Sequence, residues 1–537
     1  MKALTAAEMR EVDRLTAERY GIPSVQLMEN AGKHVADVVR LRYGSIRMPH
    51  IAVLCGKGNN GGDGFVAARL LKGLRGVNVS VFLFAKLDEL RGDAATNLQR
   101  WLDTPAEIAE ITDDSAWEGA WSEISKSNVI VDALLGTGLR GPATGLIARA
   151  IERLNQHSNN ATLARPALIL AVDTPSGLPS DGQPAEGPVL RAHITVTFTA
   201  PKVSQLVSRD AACCGQLLVR SIGSPDSLVE EIGQGAIRFA APDEFAALPL
   251  VRSADSHKGT FGHVLVLAGS LGKSGAALLA GQAALQGGAG LVTIATPNLV
   301  QPVVAAGQPE YMTEPLDSTS EGTIALSSFE KNRMEVLLKG KTALAVGPGL
   351  GVHPETQRFI QRMVREITLP TILDADGLNA FAGKGDFLAD RASPFLALTP
   401  HPGEMARLLG TTSAGVQQDR VKTAIEAAKR WNAYVVLKGF HTVLASPSEQ
   451  VFVNTTGNAG LAKGGSGDVL TGVLAALTAQ FGTQDWLRVL ALGVYLHGAA
   501  VDVPGRSPDL SGVLAQEIAK GIPSARHNLV REIQRRA

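Results

Sequence analysis

Residues 51–64 read IAVLCGKGNNGGDG, an apolar run followed by a loop rich in glycine. The apolar run predicts a buried strand, and a helical pattern near residues 65–74 follows the loop. In such a strand–loop–helix unit, the loop amides and the helix N-terminus form a site for an anion. Gly56, Gly58 and Gly61 also match G-x-G-x-x-G, the fingerprint of dinucleotide-binding folds. The stretch therefore predicts an α/β domain with an anion-binding loop.

This loop departs from the ordinary dinucleotide-binding fingerprint in one respect. The second strand, VSVFLFAK at 79–86, ends without the acidic residue that would bind a ribose hydroxyl. A glycine-rich turn with a purely structural role is the alternative interpretation. Asn59, Asn60 and Asp63 add side-chain polarity that a plain turn does not need, so we favour a ligand site.

The rest of the first half alternates strand patterns with helical ones. A capping box at Thr5–Glu8 predicts a first helix that stops at Gly21, and a second helix is expected from Ser24 to about Arg40. Further apolar runs predict strands at VSVFLF 79–84, VIVDALL 129–135, ALILAVD 167–173 and ITVTF 194–198. Apolar strands separated by helices predict a buried, mostly parallel sheet.

A second α/β domain is expected after a change of sequence texture. From Gly223 to Ser256 there is no strong strand pattern, so we place the boundary there and expect domains at 1–225 and 226–537. Strand patterns then restart at HVLVLAG 263–269, LVTIAT 291–296, ALAVGPG 343–349, TILDADG 371–377, FLALTPHPGE 395–404, YVVLKG 434–439 and VFVN 451–454. Two helices, about Asp468–Gln480 and Trp486–Val503, are expected to close the chain. The predicted fold class is α/β with two doubly wound domains, the first a Rossmann-like three-layer domain.

Composition excludes several classes of protein. The 537 residues are 45% hydrophobic and 19% charged, and 51 basic residues balance 51 acidic ones, which argues against a disordered chain and against nucleic-acid or anionic-membrane partners. Cys55, Cys213 and Cys214 match no disulfide framework or zinc spacing, so a reducing, cytoplasmic setting is expected. Charged residues near the N-terminus fit no signal peptide, and no apolar run reaches the roughly 18 residues of a membrane span.

Two further strand ends carry an aspartate beside a loop that contains glycine. Asp132 precedes LLGTGLRGP at 134–142, and Asp173 precedes TPSG at 174–177. Ligands of doubly wound sheets bind at the carboxyl ends of the strands, so these loops are expected to converge with residues 56–64. One such aspartate is more often a helix cap, but two of them beside glycine-rich loops favour a shared cleft.

NNGGDG, VDALLGTG and DTPSG, in this order after LMENAG at 27–32, resemble the epimerase domain of the NAD(P)H-hydrate repair family over residues 1–220. The resemblance implies that the first domain interconverts the R and S hydrates NADHX and NADPHX, with Asp173 as the acid/base group and Arg140 or Lys202 as assistants. It also implies a potassium ion bound by Asn60, Asp132 and Ser176, whose oxygen donors suit a hard cation. The residues that it implies bind the hydrated nucleotide are Asn59, Asn60, Gly61, Gly62, Asp63, Gly136, Thr137, Gly138, Leu139, Arg140, Gly141, Pro142 and Asp173.

The strongest motif of the second half is GGSGD at 464–468, which follows NTTGN at 454–458 and opens an apolar helix. Small residues let successive amides surround an anion, and the helix dipole adds about half a positive charge there. Asp468 lies on the first helical turn, where it can orient or deprotonate a hydroxyl beside a phosphate. A helix cap alone would explain Asp468 but not the preceding glycines, so we favour a phosphate site.

This arrangement resembles the ribokinase-like fold, whose members transfer a nucleotide's phosphoryl group to a hydroxyl. With SHKG at 256–259, AGS at 268–270, GPGLG at 347–351, TPHPGE at 399–404 and KGFHT at 438–442, residues 230–535 resemble the ADP-dependent NAD(P)HX dehydratase domain. The resemblance implies a hydrate site at Ala276, Gly349, Gly351, His401 and Asp468, the last catalytic, and a nucleotide site at Lys438, Gly439, Phe440, His441, Thr442 and Gly467. Taken singly, His401 also fits a rigid turn and Lys438 a solvated cation, and Lys273 is interpreted as a surface residue.

The chemistry expected from the resemblance begins with a poor leaving group, the ring hydroxyl of the hydrate. ADP would phosphorylate it with Asp468 as base, phosphate would then be eliminated, and Mg²⁺ is the expected helper for the phosphate charge.

One alternative is a small-molecule (vitamin) kinase fused to a nucleotide-binding module, which would leave a phosphorylated product instead of free phosphate. Another is a nucleotide-binding or protein-interaction module whose first domain has lost its chemistry. A homo-oligomer is also expected.

Overall fold

The computed structural model describes residues 1–43, 49–158, 167–482, 485–502 and 510–536. The chain forms two compact units, Met1–Gly235 and Ala236–Ala537. Both are α/β, which confirms the predicted fold class. The division falls at Gly235 because Leu228 and Val229 pack with Met9 and Val12 of the first helix.

The first unit is a parallel sheet with helices on both faces. Its strands are β1 (His50–Cys55), β2 (Asn78–Leu83), β3 (Ile108–Glu110), β4 (Val129–Ala133), β5 (Leu168–Val172), β6 (Ile194–Phe198) and β7 (Gln216–Arg220). Its helices are α1 (Ala6–Tyr20), α2 (Ser24–Tyr43), α3 (Asn59–Lys72), α4 (Gly92–Leu102), α5 (Asp114–Ile124), α6 (Gly145–Ser158), α7 (Val203–Val207) and α8 (Asp226–Ile232). The strand order is β3-β2-β1-β4-β5-β6-β7.

Alternation along β1 explains the three layers of this unit. Ile51 and Val53 join one apolar cluster with residues of α2, α3 and α4, whereas Ala52 and Leu54 join a second cluster with residues of α5 and α6. Successive side chains of a strand point to opposite faces, so a continuous apolar run belongs to a sheet covered on both sides. The strand order reverses between β1 and β4, and the loops after these two strands therefore meet.

The second unit contains a larger, mostly parallel sheet. Its strands are β8 (Ile237–Phe239), β9 (His263–Leu267), β10 (Leu291–Pro297), β11 (Met312–Leu316), β12 (Ala343–Val346), β13 (Thr371–Leu373), β14 (Leu396–Leu398), β15 (Tyr434–Leu437), β16 (Thr442–Ala445) and β17 (Val451–Asn454). Its helices are α9 (Ser274–Gln286), α10 (Gln301–Ala305), α11 (Lys331–Leu338), α12 (Pro354–Glu366), α13 (Asp376–Asn379), α14 (Pro402–Leu409), α15 (Ser413–Gln418), α16 (Arg420–Trp431), α17 (Ser466–Phe481), α18 (Trp486–Ala499) and α19 (Ala515–Arg536). The strand order is β11-β10-β9-β12-β13-β14-β15-β16-β17-β8, with β16 antiparallel to both of its neighbours.

Close packing of two helices, α9 and α17, forms part of the core of the second unit. α17 crosses α9, whose facing residues are mostly alanine, and a Cβ on Gly472 of α17 would lie 2.2 Å from the Ala280 carbonyl oxygen. The two helices approach at their backbones, which fixes the start of α17 against the sheet.

Two sequence expectations for this unit were wrong. The chain does not close with two helices, because α19 follows α18; Gly521 and Pro523 within α19 obscured its helical pattern. The predicted end at Val503 lies outside the described residues, and α18 ends at Ala499. The segment 223–256 does hold a strand, β8, which pairs with β17; its three residues are too short to show alternation.

Among the described residues, no helix has the length and apolar character that a membrane span requires.

Candidate active sites

The first site is a cavity of about 980 Å³ at the switch point between β1 and β4 of the first unit. The predicted residues that line it are Asn59, Asn60, Asp63, Gly136, Thr137, Gly138, Leu139, Arg140 and Asp173. Gly61 and Gly62 are buried behind it: a Cβ on Gly61 would lie 1.9 Å from the Gly56 carbonyl oxygen. Gly141 and Pro142 are exposed and lie outside the lining. The structure thus brings the three sequence-predicted loops to one space.

Asp173 lies at the end of β5 in a strained and strongly restrained conformation. Its φ of 61° is left-handed, which is uncommon for a residue with a Cβ. Its Oδ1 accepts hydrogen bonds from Lys202 Nζ and from Thr197 Oγ1 (3.0 Å), and its carbonyl oxygen accepts one from Gln205 Nε2 (2.6 Å). The Lys202 side chain is 1% exposed and that of Asp173 is 14% exposed. A buried ammonium therefore supports a carboxylate that faces the cavity.

Asn60, Asp132 and Ser176 are joined by one hydrogen-bond network. Asp132 is fully buried; its Oδ1 accepts from Ser176 Oγ (2.6 Å) and its Oδ2 from the Ser176 amide (2.8 Å). Ser176 Oγ also accepts from the Leu135 amide (2.9 Å), and the Leu135 carbonyl oxygen accepts from Asn60 Nδ2 (3.0 Å). Burial raises the pKa of Asp132 to about 6. Asn60 Oδ1 is buried and has no hydrogen-bond partner among the described residues.

Asp13 of α1 also lines this cavity, and we did not predict it. Its Oδ1 is buried without a hydrogen-bond partner in the described structure. Burial raises the pKa of Asp13 to about 6, and burial together with Asp173 and Asp13 raises the pKa of Asp63 well above its usual value. The signal in the sequence was a carboxylate one turn after Met9, beside the apolar face of α1.

The second site lies where α17 begins, against the end of β13. Asp374 is buried; its Oδ1 accepts a hydrogen bond from Lys438 Nζ (2.8 Å) and its Oδ2 accepts one from Thr471 Oγ1 (2.7 Å). Lys438 Nζ is also 3.8 Å from Glu404 Oε2. Burial opposes the charge on Lys438, but Asp374 and Glu404 hold its pKa above the usual value. Sequence reasoning missed Asp374, Glu404 and Thr471, although Asp374 stands at a strand end as Asp132 and Asp173 do.

Asp468 is placed by the first turn of α17. Gly465, with φ 89°, precedes the helix, and a Cβ on Gly467 would lie 3.5 Å from Lys438 Nζ, so the helix N-terminus abuts the lysine. Burial and then the nearby Asp374 raise the pKa of Asp468 to about 7, against the opposing effect of Lys438. A carboxyl group with this pKa can take up or release a proton near neutral pH.

The predicted hydrate residues of the second unit lie in the loops after β12 and β14 and in the first turns of α9 and α17: Gly349, Gly351, His401, Ala276 and Asp468. A Cβ on Gly349 would lie 2.9 Å from the Ala276 Cβ, and the Gly351 amide donates to Asp376 Oδ2 (2.8 Å). Lys273 Nζ is 3.3 Å from the same Asp376 oxygen, so this half-exposed lysine borders the predicted residues.

His401 is the N-cap of α14. Its Nδ1 accepts from the amides of Gly403 (3.0 Å) and Glu404 (3.4 Å), while Glu404 Oε2 accepts from the His401 amide (2.8 Å). This capping box fixes the side chain of Glu404 close to Lys438. His401 thus joins a rigid turn to the charged centre.

The segment from Lys438 to Thr442 forms the turn between β15 and β16. The Phe440 ring is 57% exposed and stacks on His441 with 4.0 Å between ring centroids. Arg420 supports the turn from behind, since its guanidinium donates to the carbonyl oxygens of Phe440 and Leu437 (3.0 Å to the latter). Burial lowers the pKa of Arg420 to about 10. Thr442 is the first residue of β16, and Gly439 precedes Phe440 with φ 150°.

Comparison with known proteins gives matches over both units. The family model described as YjeF-related protein N-terminus matches residues 24–204, and the model described as NAD(P)H-hydrate dehydratase matches residues 264–524. The bifunctional NAD(P)H-hydrate repair enzyme of Moorella thermoacetica is 41% identical over 535 residues, covering 99% of this chain and 98% of that protein. The enzyme of the same name from Escherichia coli is 35% identical over 516 residues, covering 96% and 92%.

Solved structures also match the second half. The ADP/ATP-dependent NAD(P)H-hydrate dehydratase of Bacillus subtilis, co-crystallised with ATP and Mg²⁺, is 33% identical and covers 54% of this chain and 98% of its own, with a TM-score of 0.45.

Proposed function

Because the chain belongs to the family of bifunctional NAD(P)H-hydrate repair enzymes, we propose that the cavity of the first unit epimerises the hydrated coenzyme and that the centre around Asp468 dehydrates it. The enzyme interconverts the R and S hydrates of NADH and NADPH and restores the reduced coenzyme from the S form at the expense of ADP. The observation that carries the assignment of sites is that each unit holds a lysine–aspartate ion pair at the carboxyl ends of its strands, with at least one partner fully buried.

In the first unit, we assign to Asp173 the proton transfer that accompanies inversion of the hydroxyl-bearing carbon. Its carboxylate faces the cavity, and Lys202 and Thr197 hold it in one orientation. A positioned carboxylate contributes about 10²- to 10⁴-fold to such a step. Arg140 lines the same cavity, and its guanidinium suits the pyrophosphate of the nucleotide.

The same unit has donors that fit a potassium ion. Asn60 Oδ1 is buried without a partner among the described residues, and the Asp132 carboxylate and Ser176 Oγ belong to its network. An orphaned buried oxygen costs free energy unless a ligand satisfies it, and a hard monovalent cation prefers oxygen donors. When bound, the ion would fix the loops after β4 and β5 and supply a positive charge for the phosphates.

In the second unit, we assign the hydroxyl proton to Asp468. Its carboxylate takes that proton as the hydroxyl oxygen attacks the terminal phosphorus of ADP, whereupon AMP leaves and phosphate becomes the leaving group of the ring. Loss of the phosphate and of a proton from the neighbouring ring carbon restores the double bond. Lys438 and the amides at 464–467 offset the charge on the migrating phosphoryl group.

At this centre, Mg²⁺ would be bound mainly by the phosphates of the nucleotide. The described residues contain no group of three or more histidine, cysteine or acidic side chains arranged to hold a metal ion. Mg²⁺ is commonly bound through substrate phosphates with one or two carboxylates, and when bound it neutralises phosphate charge. Asp376, beside Gly351 and Lys273, is the carboxylate that we propose for it.

The test follows recovery of the absorbance of reduced nicotinamide from a mixed R/S hydrate of NADH supplied with ADP. Wild type is expected to recover both epimers. Asp173→Asn should recover only the S fraction at the enzymatic rate, and Asp468→Asn should recover neither while still exchanging the epimers. A phosphorylated, non-absorbing product would instead establish the small-molecule kinase alternative, and full recovery by Asp468→Asn would refute the assigned base.

We also propose that the protein works in the cytoplasm and that copies of the chain associate with each other. The three cysteines are free thiols, as expected of a reducing compartment. Leu299, Val303 and Met312, on and beside the edge strand β11, are 60%, 55% and 43% exposed and suit a contact between copies. Sedimentation of the purified enzyme at micromolar concentration tests this, and a monomer at every concentration would refute it.

A further inference from the structure

We propose that Asp13 is a second catalytic residue of the epimerase cavity. Its carboxyl group gives a proton to the departing ring hydroxyl, while Asp173 takes the proton of the water that replaces it. The inference rests on the proposed role of Asp173.

Asp13 reaches the same space as Asp173 from a different element. Met9 and Asp13 are one helical turn apart on α1, and both line the cavity together with Asp173 and Lys202. Phe198, at the end of β6, lines it as well. An acid on one element and a base on another are what inversion at a single carbon requires.

No structural role accounts for Asp13. The N-terminus of α1 is already capped by Thr5 and Glu8, and Asp13 lies two turns further on. Its Oδ1 is buried and makes no hydrogen bond to any described residue. The nearby ammonium of Lys202 is engaged by Asp173, Thr197 Oγ1 (2.9 Å) and the Phe198 carbonyl oxygen (3.4 Å). Leaving a buried polar group unsatisfied costs about 1–3 kcal/mol. Natural proteins tolerate such a cost mainly at functional sites, so the unsatisfied oxygen indicates a functional role for Asp13.

Burial, more than the neighbouring charges, keeps the carboxyl group of Asp13 protonated for part of the time near neutral pH. The ionisable groups that act on it or share its surroundings are Asp63 from α3, Asp173 from the end of β5 and Lys202 ahead of α7. One ammonium cannot compensate three carboxylates in a buried space. Lys202 pairs with Asp173, and burial raises the pKa of Asp13 to about 6 against the opposing effect of Lys202, with a smaller contribution from Asp173. The cluster thus offers one ion-paired carboxylate, Asp173, and two carboxyl groups with raised pKa values, Asp13 and Asp63.

The reaction balances with water as the one co-reactant. Hydration of the ring double bond next to nitrogen places the hydroxyl on the carbon bonded to that nitrogen. The Asp13 carboxyl group protonates the hydroxyl oxygen, the C–O bond breaks, water leaves, and the nitrogen lone pair forms a C=N bond. A water on the other face then bonds to this carbon, and its proton passes to Asp173. The ring cation between the two steps is stabilised by the carboxylates around it, and the reverse sequence inverts the other epimer.

The experiment uses the full chain carrying Asp468→Asn, in which the epimers interconvert without being consumed, and separates R from S by chromatography. Asp13→Asn is expected to lower kcat for R-to-S conversion about 100-fold with KM within about twofold. Wild-type kcat should fall as the pH rises above about 6, since the acid must be protonated, and Asp13→Asn should lose this decline. Asp13→Glu should restore part of kcat.

Controls separate catalysis from folding. Glu11→Gln changes an exposed carboxylate of the same helix, which pairs with Arg14, and should leave epimer exchange unchanged. In a chain with native Asp468, Asp13→Asn should dehydrate the S hydrate at the wild-type rate.

Several outcomes would overturn the proposal. These are a kcat for Asp13→Asn within threefold of the control, a change in KM alone, an unaltered pH profile, or the expected signature in Asp63→Asn but not in Asp13→Asn. Asp173→Asn, measured in parallel, distinguishes failure of the role proposed for Asp13 from failure of the whole proposed epimerase site. If Asp173→Asn abolishes exchange while Asp13→Asn does not, only the role of Asp13 is refuted; if neither affects exchange, the proposed epimerase site is refuted too.

Discussion

Each unit contains a lysine–aspartate pair with a threonine beside the aspartate, but the less buried member of the pair is the aspartate in the first unit and the lysine in the second. In the first, Lys202 is 1% exposed and its partner Asp173 is 14% exposed, so the lysine lies behind the carboxylate. In the second, Lys438 is 20% exposed and its partner Asp374 is 2% exposed, so the carboxylate lies behind the lysine. A threonine hydroxyl donates to each aspartate, from Thr197 and Thr471 respectively.

The difference between the pairs matches the chemistry proposed for each unit. The less buried carboxylate of the first pair suits proton transfer at a ring hydroxyl, whereas the less buried ammonium of the second suits a phosphoryl group with developing negative charge. The buried partner fixes and neutralises the exposed group in each case. The aspartate of the first unit and the lysine of the second should therefore carry the chemistry, and the partners should act through them.

Lys438→Met breaks the second pair at its exposed member and should have the largest effect. Dehydration of the S hydrate should fall about 10³-fold, because the cation facing the phosphate is lost. Asp374 would stay buried without its cation, and the second unit should be destabilised by about 3 kcal/mol. Steady-state dehydration and thermal unfolding measure both effects. Epimer exchange, measured as the control, should not change; a dehydration rate near wild type would show that Lys438 does not face the reacting phosphate.

Lys202→Met breaks the first pair at its buried member. Epimer exchange should fall about 100-fold, because Asp173 loses the group that holds its carboxylate in place. Lys202→Arg, which keeps the charge, should retain more activity than Lys202→Met. Chromatographic separation of the epimers measures exchange, and unaltered dehydration shows that the second unit is intact. Exchange at the wild-type rate would mean that Asp173 needs no support from the lysine.

The sequence predicted the loops of these sites better than their pairings. GKGNNGGDG, Asp132, Asp173 and GGSGD could be found because glycine-rich loops and strand-end aspartates are local patterns. The family resemblance implies Lys202 as an assistant of Asp173, but no local pattern indicates the pairing of Lys438 with Asp374. The two pairs join residues 29 and 64 positions apart, so they depend on strand order, which a single sequence does not show.

Short elements and single buried atoms also escaped prediction. β8 has three residues and joins its sheet only through β17. The unpartnered oxygens of Asp13 and Asn60 are apparent only once the surrounding side chains are in place.

Asp13→Asn tests how the charge of Asp13 affects the stability of the first unit. The pKa of Asp13 in the folded protein, about 6, exceeds its usual value, so the folded state binds the proton more tightly and this residue's contribution to stability declines as the pH rises from about 4 to about 6. Above that range the carboxylate destabilises the fold by about 3 kcal/mol. Asp13→Asn should therefore raise the melting temperature of the first unit at pH 8 and have little effect at pH 4. An equal effect at both pH values would mean that the charge of Asp13 is not what destabilises the fold.

Thr197→Val and Thr471→Val form a matched pair with the smallest expected effects. Each removes one hydroxyl that donates to a paired aspartate, at 3.0 Å in the first unit and 2.7 Å in the second, and should cost about 1–2 kcal/mol of stability. Their effects on rate should differ, because Asp173 faces the substrate whereas Asp374 acts through Lys438. Thr197→Val should slow epimer exchange about tenfold, and Thr471→Val should slow dehydration about twofold. Equal losses in the two reactions would show that exposure of the aspartate does not decide its role, and that both lysine–aspartate pairs act as single units.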